Sequence, residues 1–300
     1  MSAIGDAESF GVRESASQTG LQALRLRFGR RRMLRKPLAW FAWSTLTLYV
    51  VVLLVGPALI GADPLAQDSE SFLPIGTARH LLGTDELGRD LLARLLAGGQ
   101  PLLMVCIGSA VLAGVIGTAA GMFAGYLGGA ADSIVMRTMD VLLAFPLVLV
   151  AILMVALLGG GVGNMIVAIT VSQIPYFARL ARNLTLAERG QDYIRSATAL
   201  GFRGPRIVVL EVLPNISGQL LVQATSTLAV TAGLSSALSY LGLGQDASAP
   251  DWGYMVRSGQ EFIFAYPMLC LIPGLLITLF AVAANLAGDD LRDALDIEGR

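Results

Sequence analysis

Five stretches of the chain carry no Asp, Glu, Lys or Arg: residues 37–62, 95–131, 141–178, 212–245 and 262–288, of lengths 26, 37, 38, 34 and 27. Each exceeds the roughly 20 residues with which an apolar helix crosses a bilayer. What remains cannot surface a water-soluble globule. Only 14% of the 300 residues are charged, against about 25% in a typical soluble domain, and mean hydropathy is +0.67. The expected fold is therefore an all-α polytopic membrane protein set in the lipid bilayer. The net charge of -1 says little about partners, because the charges are segregated between the apolar runs.

Several chemistries fall away. Cys106 and Cys270 both lie in apolar runs, so neither a disulfide framework nor a thiolate metal cluster is expected. His80 is the single histidine and sits in a polar segment, which leaves a Ser/His/Asp triad only that residue to use. The single lysine, Lys36, precedes Pro37 rather than Ser or Thr after a glycine-rich run, so no P-loop is present. No nucleic-acid partner is expected. The 36 residues before the first apolar run, and the length of that run, do not read as a secretory signal.

Charge placement orients the chain. Eight Lys/Arg lie in residues 1–36, and six Arg (179, 182, 189, 195, 203 and 206) follow the third apolar run. The positive-inside rule places both clusters in the cytoplasm, so an even number of spans separates them. The third run divides at Gly159–Gly163 into two spans, while 95–131 stays whole. Six transmembrane helices result, with both termini cytoplasmic, 17 Lys/Arg inside and four outside (Arg79, Arg89, Arg94, Arg257). Trp40, Trp43 and Tyr49 give the first span amphipathic rings. Gly117, Gly121 and Gly125 recur every four residues and read as a close helix–helix contact. Pro146, Pro175, Pro267 and Pro273 lie in or near spans, where proline is tolerated and can kink a helix.

No charged side chain falls within these spans, so the acidic or basic midplane group of an ion-coupled carrier is missing. Energy for uphill transport would then arrive from another protein. The fifth span carries a row at four-residue spacing, Asn215, Gln219, Gln223, Thr227, Thr231, Ser235 and Ser239. It drifts by about 40° per step, forming a winding ridge rather than one face. Such a ridge can line a polar pathway or glue helices together, and the residues alone leave both open. In the Arg-rich loop, Asp192 is expected to N-cap a short helix, Tyr193–Leu200, which Gly201 ends in a left-handed conformation. Tyr193, Ile194, Ala197 and Leu200 give it an apolar stripe suited to a protein groove.

The segment DYIRSATALGFRGPRIVVLEVLPN, residues 192–215, resembles the "EAA" loop of ABC-importer permeases, with Ala197, Gly201, Leu213 and Pro214 matching its pattern. Arg195 stands at the pattern's leading Glu, Ser196 at its first Ala, and Glu211 where His is often found. A second segment, HLLGTDELGRDLLARLLAGG at 80–99, is similar to a signature of the dipeptide/oligopeptide/nickel permeases, C-type subunit. Physically it reads as a polar turn and an amphipathic helix, pairing Asp85 with Arg89 and Asp90 with Arg94, with Leu87, Leu91 and Leu95 on one stripe. DWGYMVRSGQ at 251–260 and NLAGDDLRDALD at 285–296 extend the likeness over about residues 35–297.

The resemblance implies the ABC type I importer permease fold and a subunit without enzymatic activity. It implies four parts: a cytoplasmic basic tail (1–36), a first helix with an extracytoplasmic amphipathic segment (37–98), a transmembrane core with coupling loop 179–211 (99–288), and a cytoplasmic tail (289–300). Partners would be a B-type permease, two ABC ATPases that hold the ATP and magnesium, and an extracytoplasmic solute-binding protein. The chain itself would hold no cofactor and no metal. ATPase coupling would pass through Asp192, Tyr193, Ile194, Arg195, Ser196, Ala197, Leu200 and Gly201. Asn215, Gln219, Gln223, Thr227, Thr231 and Ser235 would line the pathway. The setting would be a bacterial or archaeal cytoplasmic membrane, with di- or oligopeptides as cargo, or nickel or another small solute. An ATPase-independent channel or carrier stays as the other class.

Overall fold

The computed structural model describes residues 37–77, 80–246 and 248–296. The basic tail 1–36, Arg79 and the last four residues lie outside the described residues. Ten α-helices follow in order: α1 (Pro37–Ile60), α2 (Leu91–Leu127), α3 (Gly129–Leu143), α4 (Leu147–Leu158), α5 (Val162–Arg189), α6 (Asp192–Ala199), α7 (Gly204–Ile207), α8 (Leu213–Tyr240), α9 (Trp252–Gln260) and α10 (Met268–Asp296). A π-helical turn, Val208–Val212, joins α7 to α8, so that Gly204–Tyr240 forms one rod. Pro214 cannot donate to the carbonyl one turn before it, and the ladder changes register just ahead of that proline.

Four helical segments are long and apolar enough to cross a membrane: α1, α2, the Gly204–Tyr240 rod and α10. The 95–131 run lies almost wholly in α2, an unbroken helix of 37 residues and about 55 Å. The third expected span needs correction. Residues 147–158 form a helix of only 12 residues, about 18 Å long, bent by 89° from α3. Pro146 carries no N–H and takes an extended ψ of 134°, which stops the helix begun at Gly129. Counted as one span, the bent pair brings the total to five. α5 has 28 residues, but Arg179, Arg182 and Arg189 make its last part polar.

The spine of the fold is the α2–α5 pair. A Cβ on Gly121 would sit 2.2 Å from the Ala178 carbonyl oxygen, and one on Gly117 would sit 2.6 Å from the Phe177 Cβ. A Cβ on Gly125 would meet the Arg182 oxygen at 2.9 Å. The four-residue glycine repeat is thus a groove into which the backbone of α5 is laid, and the packing reading holds.

Three apolar clusters surround this spine. Tyr49, Leu53, Leu95, Trp252 and Phe280 join α1, α2, α9 and α10. Val105, Val155, Met165, Ile169 and Leu238 join α2, α4, α5 and α8. Met122, Ala181, Ile194, Ala197, Ile207, Val212 and Ile216 join α2 and α5 to the segment 192–216.

Contacts between connecting segments sort them to two ends of the bundle. At one end the Trp252 indole donates to the Leu95 carbonyl (2.7 Å), Arg94 reaches the Ser248 carbonyl (3.4 Å), and the Gly161 N–H donates to the Gly244 carbonyl (2.7 Å). At the other end Arg182 pairs with Asp132, Arg179 with Asp140, and the Trp43 indole with Asp290 (3.3 Å).

Candidate functional site

The second end of the bundle holds the short helix α6. Its start is one residue earlier than expected: Gln191 takes the extended N-cap geometry and Asp192 is the first helical residue, with no side-chain cap. The carboxylate still lies in the first turn, where the positive end of the helix dipole favours it. Its end follows the expectation. Gly201 has φ +83°, the Phe202 N–H donates to the Ala197 carbonyl (3.1 Å), and the Gly201 N–H donates to the Thr198 carbonyl (3.0 Å). Those two bonds form a Schellman closure, which satisfies carbonyls that the helix end would otherwise leave open.

The apolar stripe divides, which corrects its reading as a single docking surface. Ile194 and Ala197 are buried against Met122, Ala181, Ile207, Val212 and Ile216 of the same chain. Leu200 is 77% exposed and Tyr193 half-exposed. On an eight-residue helix, positions 194 and 197 are one turn apart and face the bundle, and residue 200 is carried past the point where that wall ends. Arg195 and Ser196 also face outward, with Arg195 3.8 Å from Asp192 in a fully exposed pair that contributes little. Apart from Ile194 and Ala197, every residue from Asp192 to Leu200 is exposed, so the outward surface of α6 includes Tyr193, Arg195, Ser196 and Leu200.

Tyr193 ties this helix to the ridge of α8. Its hydroxyl donates to Glu188 and accepts from the Asn215 amide nitrogen (3.0 Å), which also donates to the Glu211 carbonyl (2.8 Å). Burial, then the bond to Glu188, pushes the Tyr193 hydroxyl up to about 12, so it stays a neutral donor at physiological pH. The sequence offered α6 and Asn215 as separate features, and the fold makes them neighbours. Arg182 reinforces the same end: its Nε and Nη2 each meet an Asp132 oxygen at 2.5 Å in a charge-assisted fork.

The ridge itself splits along its length. Asn215 and Gln219 are exposed and Gln223 is partly buried. Thr227, Thr231, Ser235 and Ser239 are buried within the chain's own helices. Thr227 Oγ1 donates to the Gln223 carbonyl (2.9 Å), and Ser239 Oγ to Asp251 Oδ2 (2.9 Å). In this conformation α8, which packs on α2, α5 and α10, encloses those four residues within the chain, and Thr231 Oγ1 has no hydrogen-bond partner. Of the residues expected along a pathway, Asn215, Gln219 and Gln223 are those whose side chains are not buried.

At the first end, where 80–99 was expected to be a polar turn and an amphipathic helix, the turn-rich loop runs as far as Asp90, and helix begins only at Leu91. Gly83 and Gly88, at φ +80° and +74°, break it. A Cβ on Gly83 would lie 2.1 Å from the Leu73 carbonyl oxygen. Asp85 and Arg89 do pair (2.7 Å), but inside a turn, and Asp85 also takes Arg94 (3.3 Å). Asp90 does not pair with Arg94. It accepts from the Ala93 N–H (2.7 Å) as N-cap of α2 and holds His80 Nδ1 at 2.8 Å. Leu91 and Leu95 are buried while Leu87 is exposed, so the predicted stripe is also broken.

His80 clamps this loop, since its Nε2 lies 3.1 Å from Asp68. The hydrogen bond to Asp90, followed by that to Asp68, raises its pKa. The clamp's contribution is full below the unfolded pKa of about 6.5 and is lost as pH rises through the raised folded value. Melting of the purified protein is expected to fall between neutral and alkaline pH. His80→Gln should flatten that slope, and an equal slope in both proteins would show that another group sets it. On the same end Asp251 caps α9 through the Gly253 and Tyr254 N–H groups. Burial pushes its carboxyl up, against the three hydrogen bonds that stabilise the anion.

Residues 117–296 match the family described as the binding-protein-dependent transport system inner membrane component. The di/tripeptide transport system permease protein DppC of Pseudomonas aeruginosa is 38% identical over 255 residues, covering 83% of this chain and 84% of that one. The dipeptide permease DppC of Alkalihalophilus pseudofirmus is 34% identical, covering 89% and 88%. The glutathione transport system permease protein GsiD of Pectobacterium atrosepticum is 37% identical, covering 82% and 84%. Among solved structures, an inward-facing form of the MetNI methionine ABC transporter shares the fold, with a TM-score of 0.53 and 22% identity, covering 68% of this chain and 96% of that one. With more than half of its length inside one family and relatives similar over more than four-fifths of it, this chain belongs to the inner-membrane permeases of binding-protein-dependent ABC importers.

Proposed function

We propose that the chain is the C-type permease subunit of an ATP-driven peptide importer. It forms the pathway with a second, B-type permease, and takes its energy from two ABC ATPases through α6. The observation that carries this reading is the split of α6: Ile194 and Ala197 bolt the helix to α2, α5 and α8, while Leu200, Arg195 and Ser196 project outward. A push on the outer face is thus transmitted to the three helices that meet in that cluster. ATP and magnesium stay with the partner subunits.

The chain crosses the membrane six times with both termini in the cytoplasm, α3–α4 and α5 supplying the third and fourth crossings. The two-ended sorting of the connecting segments supports this, since it alternates along the chain as six crossings demand. The loop at 61–90 and the segment 241–261 then face an extracytoplasmic binding protein. Peptides are the favoured cargo because the relatives above carry di/tripeptide, dipeptide and glutathione names. None of those names carries nickel.

Reconstitution tests the reading. Proteoliposomes holding this chain, its partner permease and ATPases, and the cognate binding protein should accumulate dipeptide only with ATP inside the cytoplasmic-facing compartment. Accumulation by this chain alone would favour a channel or carrier. Gln219→Leu or Gln223→Leu should change the half-saturation or maximal rate of that uptake several-fold without loss of assembly. Unaltered kinetics would assign both amides to packing.

A further inference from the structure

We propose that the cleft where α8 stops, at the end bearing the loop 61–90, binds a zwitterion, with Arg257 taking its carboxylate and Glu86 or Glu261 its ammonium. The inference rests on the importer reading and narrows the cargo to molecules that carry both charges, as a peptide with two free ends does. The cleft has a volume of about 490 Å³, and Arg257, Glu86 and Glu261 share it with the uncharged hydrogen-bonding side chains of Gln245, Tyr254 and Ser258.

The arrangement of charge points to a ligand. Arg257 in the last turn of α9 and Glu261 at its C-cap stand four residues apart, a spacing at which opposite charges can meet. Here no ion pair joins Arg257 to any carboxylate among the described residues. Its guanidinium lies over Gly242 instead, with Nη1 2.6 Å from where a Cβ would sit. Gly242 has φ +83° and follows the last turn of α8 closely, so the backbone there both requires glycine and leaves the space that the guanidinium fills. Glu86, which also lines the cleft, gives one carboxylate oxygen to Arg89 at 3.3 Å. Opposite charges that line one cleft with Arg257 left unpaired, beside neutral donors and acceptors, complement a molecule whose own opposite charges are separated. A neutral or singly charged solute would leave one side unanswered. The cleft lies beside the α8 terminus, since Gly242 is among its lining residues.

The test uses the complete transporter, with both permeases and both ATPases, in lipid nanodiscs without its binding protein. Radiolabelled dialanine is the probe. It should bind saturably, and N-acetyl-dialanine amide, which lacks both charges, should not compete. Arg257→Gln should weaken dialanine binding about tenfold or more, the loss expected for a charge-assisted contact. Arg257→Lys should restore most of it. The double variant Glu86→Gln/Glu261→Gln probes the ammonium side independently, should Arg257→Gln fail to assemble. Unchanged dialanine affinity in either test, equal competition by the blocked analogue, or no dialanine binding at all would overturn the proposal. Variants that lose binding-protein docking but keep dialanine affinity would overturn it too, making the cleft a protein contact. Wild-type proteoliposomes that bind dialanine yet show no ATP-driven uptake would strike the importer reading and leave the cleft standing.

Discussion

Leu200→Asp is expected to abolish ATP-driven uptake while the permease still folds and assembles in the membrane. Leu200 is 77% exposed and makes its backbone bond to Ser196 whatever its side chain. A substitution at so open a position should shift folding stability by no more than about 0.5 kcal/mol. If this face docks on an ATPase, the same change puts a carboxylate where an apolar anchor is needed. Truncating such an anchor typically costs about 2 kcal/mol or more, and adding a charge deepens the loss. Uptake and stimulation of ATP hydrolysis by loaded binding protein should both disappear, with normal melting. Ile194→Asp provides the contrast. It drives a charge into the cluster of Met122, Ile207, Val212 and Ile216, so it should lower the amount of folded permease itself. Wild-type uptake by Leu200→Asp would remove α6 from the coupling route.

Gly121→Leu should be the most damaging single change to the fold. The first atom it adds would lie 2.2 Å from the Ala178 carbonyl oxygen and 2.9 Å from the Ala181 Cβ. Neither obstacle is the tip of a flexible side chain, so relief requires α2 and α5 to separate along their shared groove. Overpacking of a close-fitted site usually costs 1–3 kcal/mol and can exceed that where backbone must move. The expected loss of about 3 kcal/mol or more is a large share of a total stability of the order of 5–15 kcal/mol. Gly114→Ala is the control, because its Cβ would meet Phe177 Cε1 at an ordinary 3.6 Å. Thermal unfolding in detergent should separate the two widely. Equal melting would mean that the helices do not approach as closely as described.

The residues that sequence reasoning placed well are those whose behaviour is local. Gly201 adopts the left-handed closure because a helix end followed by glycine favours it in any surroundings. The glycines of α2 announce a close neighbour through spacing alone, but the neighbour is named only by contact, since nothing in 117–125 encodes Ala178 or Ala181. The stretch 80–90 shows how spacing misleads. An Asp and an Arg four residues apart suit a helix, yet Asp85 and Arg89 meet equally well across a turn once Gly83 and Gly88 take positive φ. The cleft around Arg257 joins two segments that the sequence marked separately, but their meeting was not legible, because Glu86 and Glu261 lie 175 residues apart.

The apolar runs, the close contact on α2 and a short helix closed by Gly201 in the Arg-rich loop were set by the sequence itself. Excluding charge from hydrocarbon is a property of each residue, worth roughly 2.5–3.5 kcal/mol per charged side chain at a span centre, and it needs no knowledge of neighbours. Which face of α6 is buried, which half of the α8 ridge is hidden, and how far α3 and α4 bend were decided only in the tertiary structure. Those outcomes depend on where other helices stand. Ile194 and Leu200 have similar chemistry, and Gln219 and Thr231 are both polar, but packing against α2 and α5 buries Ile194 and Thr231 and leaves Leu200 and Gln219 exposed.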